Sequence, residues 1–185
     1  MLIGLAGKAG SGKDTLANLI TSKYTNFEVK HLTWPMEYML NPLLRSLPAY
    51  KEFNTDLIDW NDREWKEKVI PELGCSPRKL KQTLGTEWRD ATGDKLLWCK
   101  WLERNLTLYE LQNTVVSDIR FPHEQDWVHD KGGIIIYINR PGLPTLLGHS
   151  SELSIDPSKI DYLLINDGTP EELLESFIAR VGHRL

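Results

Sequence analysis

The stretch Gly7-Lys8-Ala9-Gly10-Ser11-Gly12-Lys13-Asp14-Thr15 carries the most legible chemistry in the chain. The spacing Gly7-x-x-x-x-Gly12-Lys13 is that of a loop whose backbone N–H groups turn inward around a polyphosphate, with the lysine as a point charge for the β- and γ-phosphates. Glycines permit the backbone angles such a nest needs. A helix beginning near Lys13 adds the positive end of its dipole. In most such loops a serine or threonine follows the lysine, and its hydroxyl helps to hold a magnesium ion. Here that position is Asp14, and Thr15 comes one step later. A glycine-rich turn with no ligand is the plainer alternative. A strand before the loop and a helix after it argue against that alternative.

Further candidate groups lie downstream. Asp118 closes the run Thr114-Val115-Val116-Ser117-Asp118, where a carboxylate in a phosphate-loop enzyme orders magnesium and its waters. Arg120 follows two residues later, and Glu124 falls in the first turn of a helix started by Pro122. A helix-start carboxylate beside a surface arginine accounts for the same residues without a ligand. In SPRKLKQTLGTEWRD, Leu80, Leu84 and Trp88 recur every fourth residue and are expected to face inward. Arg78, Gln82, Thr86 and Arg89 form a cationic, hydrogen-bonding stripe beside Lys79. A solvated polar face explains that stripe equally well. Gly85 costs the helix about 1 kcal/mol relative to alanine, which a close approach to its backbone would explain. Arg140 opens a Pro/Gly-rich segment suited to movement. His149 and Glu152 lie three apart, but two ligands without a third make a poor metal site. Asn166-Asp167-Gly168-Thr169 is a turn into a capped helix, and its backbone could cup a purine base.

The elements that must position these groups follow from periodicity. Strands are expected at Leu2–Ala6, Phe27–Thr33, Thr114–Asp118, Ile134–Ile138 and Tyr162–Ile165, each a short apolar or β-branched run. Helices are expected at Asp14–Tyr24, Asp62–Val69, Pro77–Arg89, Asp94–Asn105, Pro122–Lys131 and Glu171–Val181. Ser76 and Pro77 make a good helix start, and Gly132-Gly133 a good stop. Trp34–Leu47 has helical spacing punctuated by Pro35, Pro42 and Pro48. Ala49–Asn61 gives no clear pattern, and Arg140–Ile155 reads as irregular. Strands alternating with helices argue for a parallel sheet covered on both faces. Ligands of such sheets bind at the carboxyl ends of the strands, which is where the loop, Asp118 and Arg140 fall.

The 185 residues suit one domain with a subdomain or lid. Composition is that of a soluble globular protein, 41% hydrophobic and 26% charged. The net charge of −4 disfavours a polynucleotide partner, but a few local cations suffice for a small anionic substrate. Cys75 and Cys99 form no C-x-x-C pair and are expected to be free thiols in a reducing compartment. No signal peptide and no membrane-spanning run is evident, so a cytoplasmic location is expected.

Taken in order, GKAGSGKDT, RKLKQTLGTEWRD, SDIRFPHE, HSSE and YLLINDGTPEEL resemble the deoxynucleoside monophosphate kinases of bacteriophages, with residues 35–70 chiefly unmatched. The resemblance implies the phosphate-loop NTPase fold, a three-layer α/β/α sandwich with a mainly parallel sheet. It adds a helical acceptor-binding region near residues 35–110 and a lid near 140–155. It implies transfer of the γ-phosphoryl group of ATP to a deoxynucleoside monophosphate with Mg2+, and it suggests a homodimer. Carried over residue by residue, Gly7, Gly10, Ser11, Gly12, Lys13, Asp14 and Thr15 belong to the ATP site with Arg140 and Asn166. Arg78, Lys79, Gln82, Gly85, Thr86 and Trp98, with Asp118, Arg120 and Glu124, belong to the acceptor. Catalysis falls to Lys13, Asp14, Asp118 and Arg120, and magnesium to Asp14 and Asp118, in part through water. GKDT is the usual spelling in that family. Asp14 is then expected to accept from magnesium-bound waters or to pair with an arginine, with Thr15 at the α-phosphate. Kinases of dephospho-coenzyme A or phosphomevalonate share the loop and remain alternatives. A non-kinase ATPase module would be expected to keep the hydroxyl after the lysine. Retention of Lys13, Asp118 and Arg120 argues against an ATP-binding relic.

Overall fold

The computed structural model describes residues 1–48, 59–60, 62–143 and 155–185. The unclear stretch Ala49–Asn61, apart from residues 59 and 60, lies outside them, as does most of the expected lid, including His149 and Glu152. The chain forms two compact units, one of Met1–Leu32 with Cys99–Leu185 and the other of Thr33–Trp98.

The first unit is built on a parallel sheet of β1 (Ile3–Ala6), β2 (Glu28–Lys30), β3 (Thr114–Ile119), β4 (Ile134–Asn139) and β5 (Tyr162–Ile165), in the order β2-β3-β1-β4-β5. Every residue of β1 and β3 is buried, as strands covered on both faces must be, although β3 carries the polar Thr114, Ser117 and Asp118. One face packs on α1 (Lys13–Lys23) and on the closing helix Pro170–Val181. Leu16, Ile20, Leu173 and Phe177 meet Ile3, Leu5, Ile136 and Ile138 there. The helix after β3, Pro122–Asp130, buries Trp127 and Val128. Because β1 pairs with β3 on one side and β4 on the other, the strand order switches at β1, and a crevice opens beyond its carboxyl end. The sheet and its flanking helices are those expected of the phosphate-loop fold.

One irregularity shapes that crevice. Gly4 pairs with Val116, but Ala6 pairs with Ile119, so two residues of β3, Ser117 and Asp118, stand opposite Leu5 alone. A regular strand would send them to opposite faces. An added residue bends the strand and re-aims its side chains.

The second unit is helical. It contains α2 (Trp34–Ser46), α3 (Arg63–Glu67) and α4 (Pro77–Thr83), the last continuing through a π-helical turn, Leu84–Trp88, into Arg89–Ala91. Leu40, Leu44, Trp60 and Ile70 form its core, with Leu80 and Leu84 packed against them. Trp60 is fixed by an Nε1–H bond to Asn41 Oδ1 (2.8 Å), and the Lys81 ammonium sits 4.9 Å from its ring.

The π turn overturns one expectation. A helix counted in steps of four buries Trp88 and exposes Arg89. An i→i+5 turn inserts one residue and advances the register beyond it. Trp88 is accordingly 43% exposed, and Arg89 only 3%. The helix expected at Asp94–Asn105 is α5 (Leu97–Arg104), and a further short helix, α6 (Leu108–Gln112), follows it. The helices after β3 and β5 are α7 (Pro122–Asp130) and α8 (Pro170–Val181). Cys75 is partly buried and Cys99 buried, and neither forms a disulfide among the described residues.

Candidate active site

The loop between β1 and α1 has the geometry its glycines suggested. Gly7, Gly10 and Gly12 all take positive φ (145°, 79° and 101°). At two of them space as well as angle forbids a side chain. A Cβ on Gly7 would stand 2.4 Å from the Ile138 carbonyl oxygen, and one on Gly12 the same distance from Asn166 Nδ2. Lys13 opens α1 and donates from Nζ to the carbonyl oxygens of Gly7 and Lys8, both at 2.8 Å. Ser11 is fully buried, and its Oγ has no hydrogen-bond partner among the described residues. A buried hydroxyl left without a partner costs about 1–3 kcal/mol. A phosphate oxygen in the nest would supply that partner.

Asn166, expected at the ATP site, supports the loop from behind. Its Nδ2 donates to the Ser11 carbonyl oxygen (2.8 Å), and it is buried. The turn that carries it runs into α8 through a capping box of Thr169 and Glu172.

Asp14 hydrogen-bonds a serine of the neighbouring strand. It accepts from Ser117 Oγ at 2.7 Å, and Ser117 Oγ lies 3.1 Å from His31 Nδ1. No bond from an arginine to Asp14 occurs among the described residues. Asp118 is buried, and its Oδ1 accepts from the Leu32 N–H at 2.9 Å. Asp14 and Asp118 thus come from α1 and β3 to the same end of the sheet. No group of three or more His, Cys, Asp or Glu side chains suited to a metal occurs among the described residues. Two carboxylates without a protein cage suit magnesium, which keeps several waters and takes phosphate oxygens. They do not suit a structural metal site.

Arg120 stands on the segment joining β3 to α7, with its side chain exposed. That segment is held by Glu124, whose Oε2 accepts from the backbone N–H groups of Arg120 (2.7 Å) and Phe121 (3.0 Å). Glu124 is buried, and burial pushes its carboxyl up from 4.5 to about 7, helped by the nearby Asp118 charge and opposed by the two backbone bonds. Glu124, expected at the acceptor, is engaged through Oε2 with the backbone of its own segment. The adjacent Gln125 clasps residue 156: its Nε2 donates to the Asp156 carbonyl (3.1 Å), and its Oε1 accepts from the Asp156 N–H (2.8 Å).

Lys13 and Arg120 line one pocket of about 410 Å³ together with Gly7, Lys8, Ala9 and Tyr137. Asn139, Ile155, Pro157 and Leu163 complete much of its wall. A concave site with an apolar wall and three cationic residues in its lining, Lys8, Lys13 and Arg120, suits a nucleotide polyphosphate. Thr15 and Arg140 are both exposed, at the start of α1 and just after β4.

The remaining expected acceptor residues lie in the second unit. Arg78 Nε is 2.5 Å from Glu67 Oε1 without hydrogen-bond alignment, and Lys79 Nζ is 3.8 Å from Glu87. Such partly exposed pairs contribute little and release readily. Gln82 and Thr86 are half-buried. Gly85 is approached by the Met36 side chain, whose Sδ would lie 3.2 Å from a Cβ there. Its carbonyl accepts from Trp98 Nε1 at 3.3 Å. Trp98 is 5% exposed and stacked on Trp88 at 5.8 Å. Periodicity and spacing did not single out Ser117 and His31, which meet through the pairing of β2 with β3.

The sequence profile described as deoxynucleotide monophosphate kinase matches residues 36–177. That match begins after the phosphate loop, so the loop and the profile are separate observations. A protein of Acanthamoeba polyphaga mimivirus assigned as a deoxynucleotide monophosphate kinase is 28% identical over 99% of this chain and 97% of its own length. The deoxynucleotide monophosphate kinase of Enterobacteria phage T4 is 29% identical over 64% of this chain and 46% of its own. That of Escherichia phage RB69 is 31% identical over 53% and 41% respectively. The chain therefore spans less than half the length of the two phage proteins.

Proposed function

We infer that this chain, which belongs to the deoxynucleotide monophosphate kinase family, transfers the γ-phosphoryl group of ATP to the 5′-phosphate of a deoxynucleoside monophosphate, giving the diphosphate and ADP. The observation that carries this is the pocket beside the glycine loop whose lining holds both Lys13 and Arg120. Its viral relatives agree with a role in supplying deoxynucleotides for DNA synthesis in the cytoplasm of a host cell. No helix among the described residues is long and apolar enough to cross a membrane.

The acceptor's nucleophile is a phosphate oxygen, ionised near neutral pH, so the site needs no strong general base. Its task is to bring two anions together and to neutralise the charge that spreads over the moving group. The loop amides, Ser11 Oγ and Lys13 take the β- and γ-phosphates. Lys13 does so by exchanging its two carbonyl partners for phosphate oxygens. Arg120 balances charge on the phosphoryl group in transit, and Glu124 fixes the backbone from which Arg120 projects. Asp14 and Asp118 are the residues that would hold magnesium, which would supply neutralisation of phosphate charge there. Arg78, Lys79, Gln82, Gly85, Thr86 and Trp98 are assigned to the acceptor nucleotide on the family resemblance. Arg140 is assigned to ATP on the same ground.

Arg120→Ala tests this directly. Arginines that stabilise the transferring phosphoryl group are worth roughly 10³-fold or more in rate. Steady-state turnover should fall on that order while ATP affinity stays within about threefold, since the loop and Lys13 are untouched. A fall of less than about tenfold removes Arg120 from catalysis.

A further inference from the structure

The loop lacks the hydroxyl that ordinarily follows its lysine, and the carboxylate that stands there instead is bonded by a hydroxyl from another strand. Ser117 belongs to β3, is fully buried, and puts its Oγ 2.7 Å from Asp14 Oδ1. The extra residue of β3 opposite Leu5 lets Ser117 reach α1 while its neighbour Asp118 reaches the Leu32 N–H. His31 follows β2 at once. Lys30 pairs with Val116, so His31 comes level with Ser117 and its Nδ1 lies 3.1 Å from Oγ.

The protons of this chain of contacts can be placed by elimination. A carboxylate only accepts, so the single Ser117 hydroxyl proton is committed to Asp14. The contact with His31 is then a hydrogen bond only if Nδ1 carries a proton and Ser117 Oγ accepts it. With both contacts as hydrogen bonds, the order is His31 Nδ1–H to Ser117 Oγ, and Ser117 Oγ–H to Asp14 Oδ1. This fixes one carboxylate oxygen of Asp14 and leaves Oδ2 without a hydrogen-bond partner among the described residues. It also couples the orientation of Asp14 to two strands that a sequence motif around Lys13 does not include.

We propose that Ser117 and His31 are positioning residues for Asp14, a two-step hydrogen-bonded brace that aims its second oxygen at the water shell of the nucleotide-bound magnesium ion. The brace rests on the kinase function above only for its ligand, magnesium-complexed ATP. It needs no acceptor, so it can be judged by binding alone.

Two measurements on the full chain test it. The first is the tautomer of His31 in the wild-type protein, read from side-chain ¹⁵N–¹H spectra assigned with His31→Asn. The brace requires the Nδ1–H form, and the Nε2–H form overturns it. The second is calorimetric titration of ATP with magnesium and with EDTA, for wild type, Ser117→Ala, His31→Ala and His31→Asn. Loss of a hydrogen bond to a charged group should weaken magnesium–ATP binding by about tenfold in Ser117→Ala, with binding in EDTA within about twofold of wild type. His31→Ala should move in the same direction, and His31→Asn, which keeps an N–H near the Nδ1 position, should recover most of the loss. Equal weakening with and without magnesium, or none in either, overturns the brace. If wild type binds magnesium–ATP but phosphorylates no deoxynucleoside monophosphate, the kinase assignment fails and the brace is still decided by these titrations.

Discussion

Replacing Glu124 with glutamine removes a buried ionisable group and keeps an oxygen that can accept from Arg120 and Phe121. In the folded chain burial holds the Glu124 carboxyl near 7, against 4.5 in its ordinary setting. Its folded value is raised, so the folded state retains a proton that the unfolded chain has released. The stability this confers is fully present below pH 4.5 and is lost as pH rises to about 7. Each pH step within that window is worth about 1.4 kcal/mol, giving a total of about 3 kcal/mol. In the glutamine variant this loss is absent. Urea denaturation of both proteins at pH 5, 6, 7 and 8, compared as wild type minus variant, isolates it from all other titrating groups. The difference should fall by about 3 kcal/mol across the series and flatten above pH 7. For a chain of this size that corresponds to roughly 6–12 °C in Tm. A difference that stays constant from pH 5 to 8 would show that Glu124 is ionised throughout, and would refute the argument from burial.

Gly12→Ala should destabilise the first unit by about 2–3 kcal/mol in denaturant titrations, because alanine at φ 101° is strained and its Cβ displaces Asn166 Nδ2. Asn166→Ala leaves the buried Ser11 carbonyl without its side-chain donor. It should cost about 1–3 kcal/mol in stability and weaken ATP binding in fluorescence titrations. Trp98→Phe keeps a ring against Trp88 and loses the Nε1–H bond to Gly85. A thermal melt should show a loss of only about 0.5–1.5 kcal/mol.

The phosphate loop was legible because everything it needs is local: two glycines, a lysine, and a strand and helix on either side. The sheet was legible for a similar reason, since Thr114–Val116 is a β-branched run and Ile134–Ile138 an apolar one, patterns that suit buried strands. Other features depend on contacts between distant segments. The π turn at Leu84–Trp88 defeats any count in steps of four, which is why Trp88 and Arg89 exchange faces. The roles of Ser117 and His31 depend on the register of β2 on β3 and on the residue added opposite Leu5. The family resemblance puts Asn166 at the ATP site, but its bond to the loop spans 155 residues of sequence. Thr107 and Glu110 form a capping box, and the spelling Thr-Leu-Tyr-Glu is a local signal for the helix Leu108–Gln112.

The central claim is phosphoryl transfer from ATP to a deoxynucleoside monophosphate at the loop of Lys13. The most direct test is ³¹P NMR of ATP with each deoxynucleoside monophosphate in turn, alongside dephospho-coenzyme A and no acceptor, for wild type and Lys13→Ala. The account predicts a diphosphate doublet and stoichiometric ADP with at least one deoxynucleoside monophosphate, absent without acceptor and absent in Lys13→Ala. ADP and inorganic phosphate formed at the same rate with and without acceptor, or transfer to dephospho-coenzyme A alone, would contradict it.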